Sequence, residues 1–280
     1  MNKKFLGLTA SVALFLAACG SEGATNESTA GTTEEPVEVS VGVVSEVEVE
    51  VWEDVKERLV DQGIELKIEQ FGDYVQPNLA AQSGDVDLNA FQHVAFLESF
   101  NADNDGSLVQ IGYTYISPLG LYSDKVEDFA DLADGAEIAI PNDVTNGGRA
   151  LLLLQSLELI TLDEAAGTEP TVDDITENPK NLKITELDAS QTARSLPDVD
   201  AAVINTNFAS DSGLVPSEDA LFLDTDNIAE VNEIYKNVIA TREEDADNEA
   251  YLKVVAEYQS EETAAKLEEV TKGNDVPAWD

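Results

Sequence analysis

Two stretches of the chain run through the same order of elements, and that repetition constrains the fold more than any other feature. The first reads as strand "VEVSVGVV", helix "VWEDVKERLVDQG", strand "IELKIEQF", helix "YVQPNLAAQSG" and strand "DVDLNAF". The second reads "AEIAIPND", "NGGRALLLLQSLEL", "NLKITELD", "SQTARSLP" and "DVDAAVINTNF" in the same alternation. The match is loose residue by residue, yet "DVD" holds the same place in both, at Asp85–Asp87 and Asp198–Asp200. Strands alternating with helices predict an α/β fold built on parallel sheets. Two βαβαβ units in one chain predict two similar lobes. "YISPLGLYS", Tyr115–Ser123, leads out of the first unit, and "ALFLD" and "NVIATRE" lead back, so two crossings form a hinge. The last helical stretch, "NEAYLKVVAEYQSEETAAKLEEVTKG", is expected to pack on the first lobe. The expected division places residues 37–122 and 225–280 in lobe 1 and residues 123–224 in lobe 2.

The N-terminus reads differently. Lys3 and Lys4 precede the apolar run "FLGLTASVALFLAA", which ends at the single cysteine, Cys19. The run is shorter than the roughly 20 residues of a membrane span and gives way at once to polar sequence, so residues 1–18 read as an export signal. Leu16-Ala17-Ala18-Cys19 resembles a bacterial lipobox, in which cleavage leaves the cysteine as a lipid-modified first residue. The alternative is an ordinary signal peptide with an incidental cysteine. Two acyl chains on Cys19 suffice for stable anchoring, outside the cytoplasmic membrane. Residues 19–36, rich in Gly, Ser, Thr and Glu, read as a flexible tether.

Charge removes one class of partner. With 57 acidic and 15 basic residues the net charge is −42, which repels phosphate backbones and anionic lipid and argues against nucleic acid. The plain reading is a highly solvated surface, of the kind that suits a saline or alkaline exterior.

In open parallel sheets, ligands sit beyond the carboxyl ends of the strands, beside helix N-termini. "FQHV" and "FGDYVQPN" hold that place in the first unit, "IPNDVTNGGR" and the end of "AVINTNF" in the second, so all four face one expected cleft. Arg149, at a helix start after Gly147 and Gly148, suits a carboxylate, which a guanidinium grips by two parallel bonds. The loop lacks the Gly-Lys-Ser/Thr of a phosphate loop. The alternative for Arg149 is pairing with one of the many acids of the chain. Asn205, Asn207 and Asn237 offer amides for an ammonium or a carboxylate, or else form turns. His93 is the one histidine, either at the site or a packed, hydrogen-bonded ring. Phe91 and Phe96, with Tyr74, Tyr113 and Tyr115, offer an aromatic wall; such stripes are also common in cores, though thioethers favour ring edges.

Catalytic and metal chemistry find little support. One His with no Cys partner builds no zinc site, and neither a Ser–His pair nor a Gly-x-Ser-x-Gly elbow is visible. Asn101, Asp103, Asp105 and Gly106 imitate the start of an EF-hand loop. Its twelfth position falls at Gly112 instead of a glutamate, so the stretch reads as a solvated loop.

The segments "FGDYVQPNLA", "NAFQHVAFLE", "YISPLGLYS", "IPNDVTNGGRALLLLQ", "DITENPKNLKI", "LPDVDAAVINTNFA" and "NVIATREED" together resemble the methionine-binding lipoproteins of ABC importers, the MetQ/NlpA type. The resemblance covers nearly the whole chain after the tether. It implies a two-lobed periplasmic-binding-protein (type II) fold, with the ligand cleft between lobes joined by a two-strand hinge. It further implies a non-enzymatic protein without cofactor or metal that captures L-methionine or D-methionine and delivers it to a permease and its ATPase. By position it makes Arg149 the carboxylate partner and Asn205 and Asn237 the residues that fix the amino-acid backbone. Tyr74, Phe91 and His93 become walls of the side-chain pocket, and Asn146 and Tyr115 complete the expected ligand-binding set. Val144 stands where the family often has Pro, Phe96 where it has Tyr, and "VSEVEVEVW" replaces a Gly-Pro-His-like segment. The expected mechanism is closure of the lobes on a zwitterion. Its carboxylate meets Arg149 and helix N–H groups, its ammonium meets Asn carbonyls, and its thioether lies among rings. Alternatives are a Met-containing dipeptide, another apolar amino acid, or a surface interaction lipoprotein without a transport role.

Overall fold

The computed structural model of the chain describes residues 35–224 and 233–279. The signal segment, Cys19 and the tether up to residue 34 lie outside the described residues, as does the 225–232 part of the return crossing.

The first unit runs β1 (Val37–Val43), α1 (Glu46–Leu59), β2 (Ile64–Gln70), α2 (Gln76–Ser83) and β3 (Leu88–His93). It continues through α3 (Val94–Asn104), β4 (Leu108–Tyr113), β5 (Tyr115–Ile116) and β6 (Leu119–Tyr122). The second unit runs β7 (Glu137–Pro141), α4 (Val144–Ser156), a small pair β8 (Thr161–Leu162) and β9 (Ile175–Glu177), then β10 (Lys183–Leu187). After it come α5 (Ala189–Thr192), β11 (Ala201–Asn205), α6 (Thr206–Asp211), α7 (Pro216–Asp219) and β12 (Phe222–Leu223). The chain returns as β13 (Asn237–Arg242), α8 (Glu249–Tyr258), α9 (Glu261–Thr271) and β14 (Val276–Pro277).

Two five-stranded sheets result, ordered β2-β1-β3-β13-β4 and β10-β7-β11-β6-β12. In each, the first three strands of a βαβαβ unit are parallel, and the fourth position is filled by an antiparallel strand, β13 or β6. β6 thus belongs to the second sheet, where it pairs with β11 and β12, although the expected division puts Leu119–Tyr122 in the first lobe. The matching "DVD" has one physical cause in both sheets. Asp87 Oδ2 accepts the Ser40 N–H in β1 at 2.8 Å, and Asp200 Oδ2 accepts the Glu137 N–H at the start of β7 at 2.8 Å. Each aspartate therefore ties the start of the third strand to the first.

Local sequence explains where the helices start. Ser45 caps α1 by accepting the Glu48 N–H at 3.1 Å, while Glu48 Oε2 accepts the Ser45 N–H at 3.0 Å, a reciprocal capping box. α1 consequently begins at Glu46, five residues before the expected Val51, and absorbs "EVEVE", whose alternation alone reads as strand. Val51, Trp52, Val55 and Leu59 fall on its buried face. α8 and α9 pack on that face, with the Tyr258 ring 4.6 Å from Trp52, so the final helices join the first lobe as expected. β14 pairs with β5 and fastens the C-terminal segment to the outgoing crossing. The Asn101–Gly106 run is not a solvated loop: it is the last turn of α3 and its cap. Asp105 adopts φ 49°, and Asn101 bonds both the N–H and the C=O of Leu108, at 3.2 and 2.8 Å.

Candidate functional site

Strand ends from both sheets converge on one cavity with about 440 Å³ of empty space, the part open to solvent included. The first lobe supplies Tyr74 from the loop before α2, Phe91 and His93 from β3, Tyr115 from β5 and Asn237 from β13. The second supplies Asn146 and Arg149 from α4 and Asn205 from β11. All eight expected residues line this one space, together with Phe96 and Asn207. Tyr113 does not; its ring lies under the Lys236 ammonium, 5.1 Å away.

Arg149 is buried, 6% exposed, and held on three sides. Its Nε–H donates to Asp224 Oδ2 at 2.6 Å, its Nη2 donates to the Ser117 carbonyl at 2.9 Å, and its guanidinium carbon lies 4.5 Å from the Tyr235 ring centroid. Arg149 is therefore ion-paired, the alternative reading of it, and it also lines the cavity. Five N–H bonds less two leaves donors on Nη1 and Nη2 for an incoming carboxylate.

The helix start already carries a cap from within the chain. Asp143 caps α4, its Oδ1 accepting the Asn146 N–H at 2.8 Å, so a carboxylate of the chain already occupies the place an anion would take. Nor do the glycines make room for a ligand. A Cβ on Gly147 would lie 2.8 Å from the Pro141 carbonyl oxygen, and one on Gly148 3.1 Å from Glu169 Cα. They let α4 sit close against its own strand and the loop at Glu169–Pro170.

An amide relay crosses the floor. His93 Nδ1 accepts the Phe96 N–H at 3.1 Å as cap of α3, which leaves the proton on Nε2 to donate to Asn146 Oδ1 at 3.3 Å. Burial, reinforced by the Arg149 charge, lowers the His93 pKa to about 3, so the ring is neutral. Asn146 Oδ1 also accepts from Asn205 Nδ2 at 2.9 Å, and Asn146 Nδ2 donates to both Asp143 oxygens at 3.0 and 3.1 Å. These donors fix the orientation of Asn205, whose Oδ1 is left buried with no partner among the described residues. Such an orphan acceptor is costly unless something donates to it.

Rings form the opposite wall. Tyr74 stacks on Phe91 at 5.7 Å and meets Phe96 and Phe208 at 5.7 and 4.9 Å. Its hydroxyl donates across the cavity to Asn207 Oδ1 at 2.5 Å. The Tyr115 hydroxyl is spent on Glu48 Oε1, so Tyr115 presents its ring. Behind it lies a second acid, Asp275, bonded to the Ser117 hydroxyl at 2.5 Å. Burial pushes its pKa up to about 7, with the nearby Glu48 adding to the rise.

Gln92, Ser117, Pro118 and Thr206 also line the cavity and were not singled out from sequence. Gln92 is locked by Asn78 and Asn89, and Thr206 by the Pro118 carbonyl at 2.6 Å. Asp224 was missed as well. Its signal is an acid directly after a short apolar strand, "LFLD", in a chain so rich in acids that one more attracts no notice.

Residues 39–279 match the family model described as NlpA lipoprotein. The chain is 42% identical over 248 residues to the D-methionine-binding lipoprotein MetQ of Escherichia coli strain K12, covering 88% of this chain and 90% of the relative. Among solved structures it is similar to a nutrient binding protein from Burkholderia cenocepacia bound to methionine, at 44% identity and TM-score 0.81, covering 86% of this chain and 100% of that one. It is also similar to the substrate binding protein of a methionine transporter from Streptococcus pneumoniae, at 42% identity and TM-score 0.81, with coverage of 86% and 96%.

Proposed function

The chain belongs to the NlpA lipoprotein family, and we propose that its cavity is the seat of methionine in the substrate-binding lipoprotein of an ABC importer. Its two-lobed periplasmic-binding-protein fold is that of its solved relatives. One observation carries the ligand assignment. A single cavity combines free N–H donors on Arg149, an unpartnered acceptor on Asn205 and a wall of four aromatic rings. These are the complements of a carboxylate, an ammonium and an apolar thioether side chain. Asn237, whose side-chain amide makes no hydrogen bond among the described residues, supplies a further polar contact to the amino-acid backbone.

The protein's part is to bind and release. Arg149 and Asn205 stand on the second lobe, while Tyr74, Phe91, His93, Tyr115 and Asn237 stand on the first, so one small molecule touches both and stabilises their approach. No nucleophile–base pair faces the ligand among the described residues of the cavity, and the reading is of a non-enzymatic carrier. Cys19 is the lipid anchor and residues 19–36 the tether, which keep the domain on the outer face of the cell membrane beside a permease whose ATPase lies on the cytoplasmic side.

A thermal-shift panel of L-methionine, D-methionine, Gly–Met and other apolar amino acids tests the assignment. A ligand at 100 times its dissociation constant stabilises the folded state by about 2.7 kcal/mol. A shift with a methionine enantiomer supports the reading, a shift with Gly–Met alone replaces it with a dipeptide, and no shift with any of them sinks it.

A further inference from the structure

Among the described residues that line the cavity, Arg149 carries the one formal charge, because His93 is neutral there. That charge is not spare. Asp224 meets it at 2.6 Å, and the two side chains are 7% and 14% exposed, so the pair sums to zero inside the protein. Around them stand further acids: Asp143 on the far side of Asn146, Glu48 and Asp275 behind Tyr115 and Ser117, and Glu169 near Tyr235, the ring that packs on Arg149. A carboxylate that arrives at Arg149 therefore tips the site to net negative. An ammonium beside Asn205 Oδ1 restores the balance, and without it an uncompensated charge is buried.

We propose that Asp224 sets the charge class of the ligand: by neutralising Arg149 in advance, it makes the site accept zwitterions and reject carboxylates that lack an ammonium group. Asp224 touches no ligand and acts through Arg149, as a residue that positions and neutralises it. It has a structural task too, since its Oδ1 accepts the Leu119 N–H at 2.8 Å and its own N–H donates to the Leu119 carbonyl at 2.9 Å. A test must separate the two roles.

The inference rests on the methionine reading and is tested by calorimetry with three probes. These are L-methionine, its des-amino analogue methylthiobutanoate, and methioninol, which keeps the ammonium and lacks the carboxylate. Wild type is expected to prefer L-methionine to the des-amino acid by about a hundredfold or more, on the usual penalty for an unbalanced buried charge. Asp224→Asn is expected to narrow that ratio by at least about tenfold, because Arg149 then has charge to spare, while Asp224→Glu keeps it. A purely structural peg would weaken both ligands together, and an unchanged ratio in Asp224→Asn overturns the inference alone. Should that variant not fold, Arg149→Gln carries the test from the other side of the pair. It leaves Asp224 uncompensated, so methioninol should bind at least about tenfold tighter than to wild type; unchanged or weaker binding overturns the proposal. Wild type that binds none of the three probes overturns the methionine reading, and this inference with it.

Discussion

Replacing Arg149 with alanine removes the cavity's cation and strands Asp224 in a buried position. L-Methionine affinity, read by calorimetry, is expected to fall by more than about tenfold, since a buried carboxylate then has no charged donor; an unchanged affinity refutes the assignment. Asp275 invites a second measurement at this scale. Its folded pKa of about 7 lies above the unfolded value of 3.8, so between those values the native state holds a proton that the unfolded state has shed. The stability it contributes is present below pH 3.8 and is lost as pH rises through 7. Asp275→Asn keeps an acceptor for Ser117 and needs no charge. It should raise stability at pH 8 by on the order of 2 kcal/mol and change it little at pH 4, as read by urea unfolding at both values. Equal effects at the two pH values would contradict that account. His93 works in the opposite direction: its pKa of about 3 lies below the usual 6.5, so stability falls as pH drops through that window.

At the scale of elements, the sequence is legible where chemistry is local and misleads where partners come from far away. Both βαβαβ units lie where the alternation puts them, because strand and helix periods are written into each segment. The "EVEVE" run at 46–50 shows the limit. Its two-residue period suits a strand, yet the Ser45–Glu48 box starts a helix, and the buried Glu48 is made tolerable by Tyr115, far along the chain. Ser45→Ala should therefore cost about 1 kcal/mol of unfolding free energy, the usual value of a cap, and a chevron or urea midpoint unchanged within error would argue against the box. Arg149 shows the same limit at the site. Its place on α4 was readable, but its partner Asp224 follows a strand of the other half of the sheet, and no spacing rule links them. Asp143 is the reverse case. An N-cap aspartate two residues before a Thr-Asn-Gly-Gly run is a visible signal that the helix start is already taken.

For the molecule as a whole, a net charge of −42 concentrates repulsion on the folded surface, while the proposed ligand is neutral overall. Salt should act on the two differently. Raising NaCl from low to physiological strength shortens the Debye length from about 30 Å to about 8 Å, which should raise the melting temperature while leaving L-methionine affinity within about twofold. A strong salt dependence of affinity would instead indicate a ligand with net charge. Attachment is also a property of the whole chain. Cys19→Ser should move the protein from the membrane fraction to the soluble one, and retention on membranes would exclude Cys19 as the anchor. The strand order has one more consequence, for biosynthesis. β13 lies between β3 and β4, so the first sheet waits for a piece of polypeptide made long after its neighbours. Until residue 242 has emerged, that sheet lacks the strand that joins β4 to β3. The second sheet, whose strands all lie between residues 119 and 223, can pair before then, so the later-made lobe is free to settle before the first is complete.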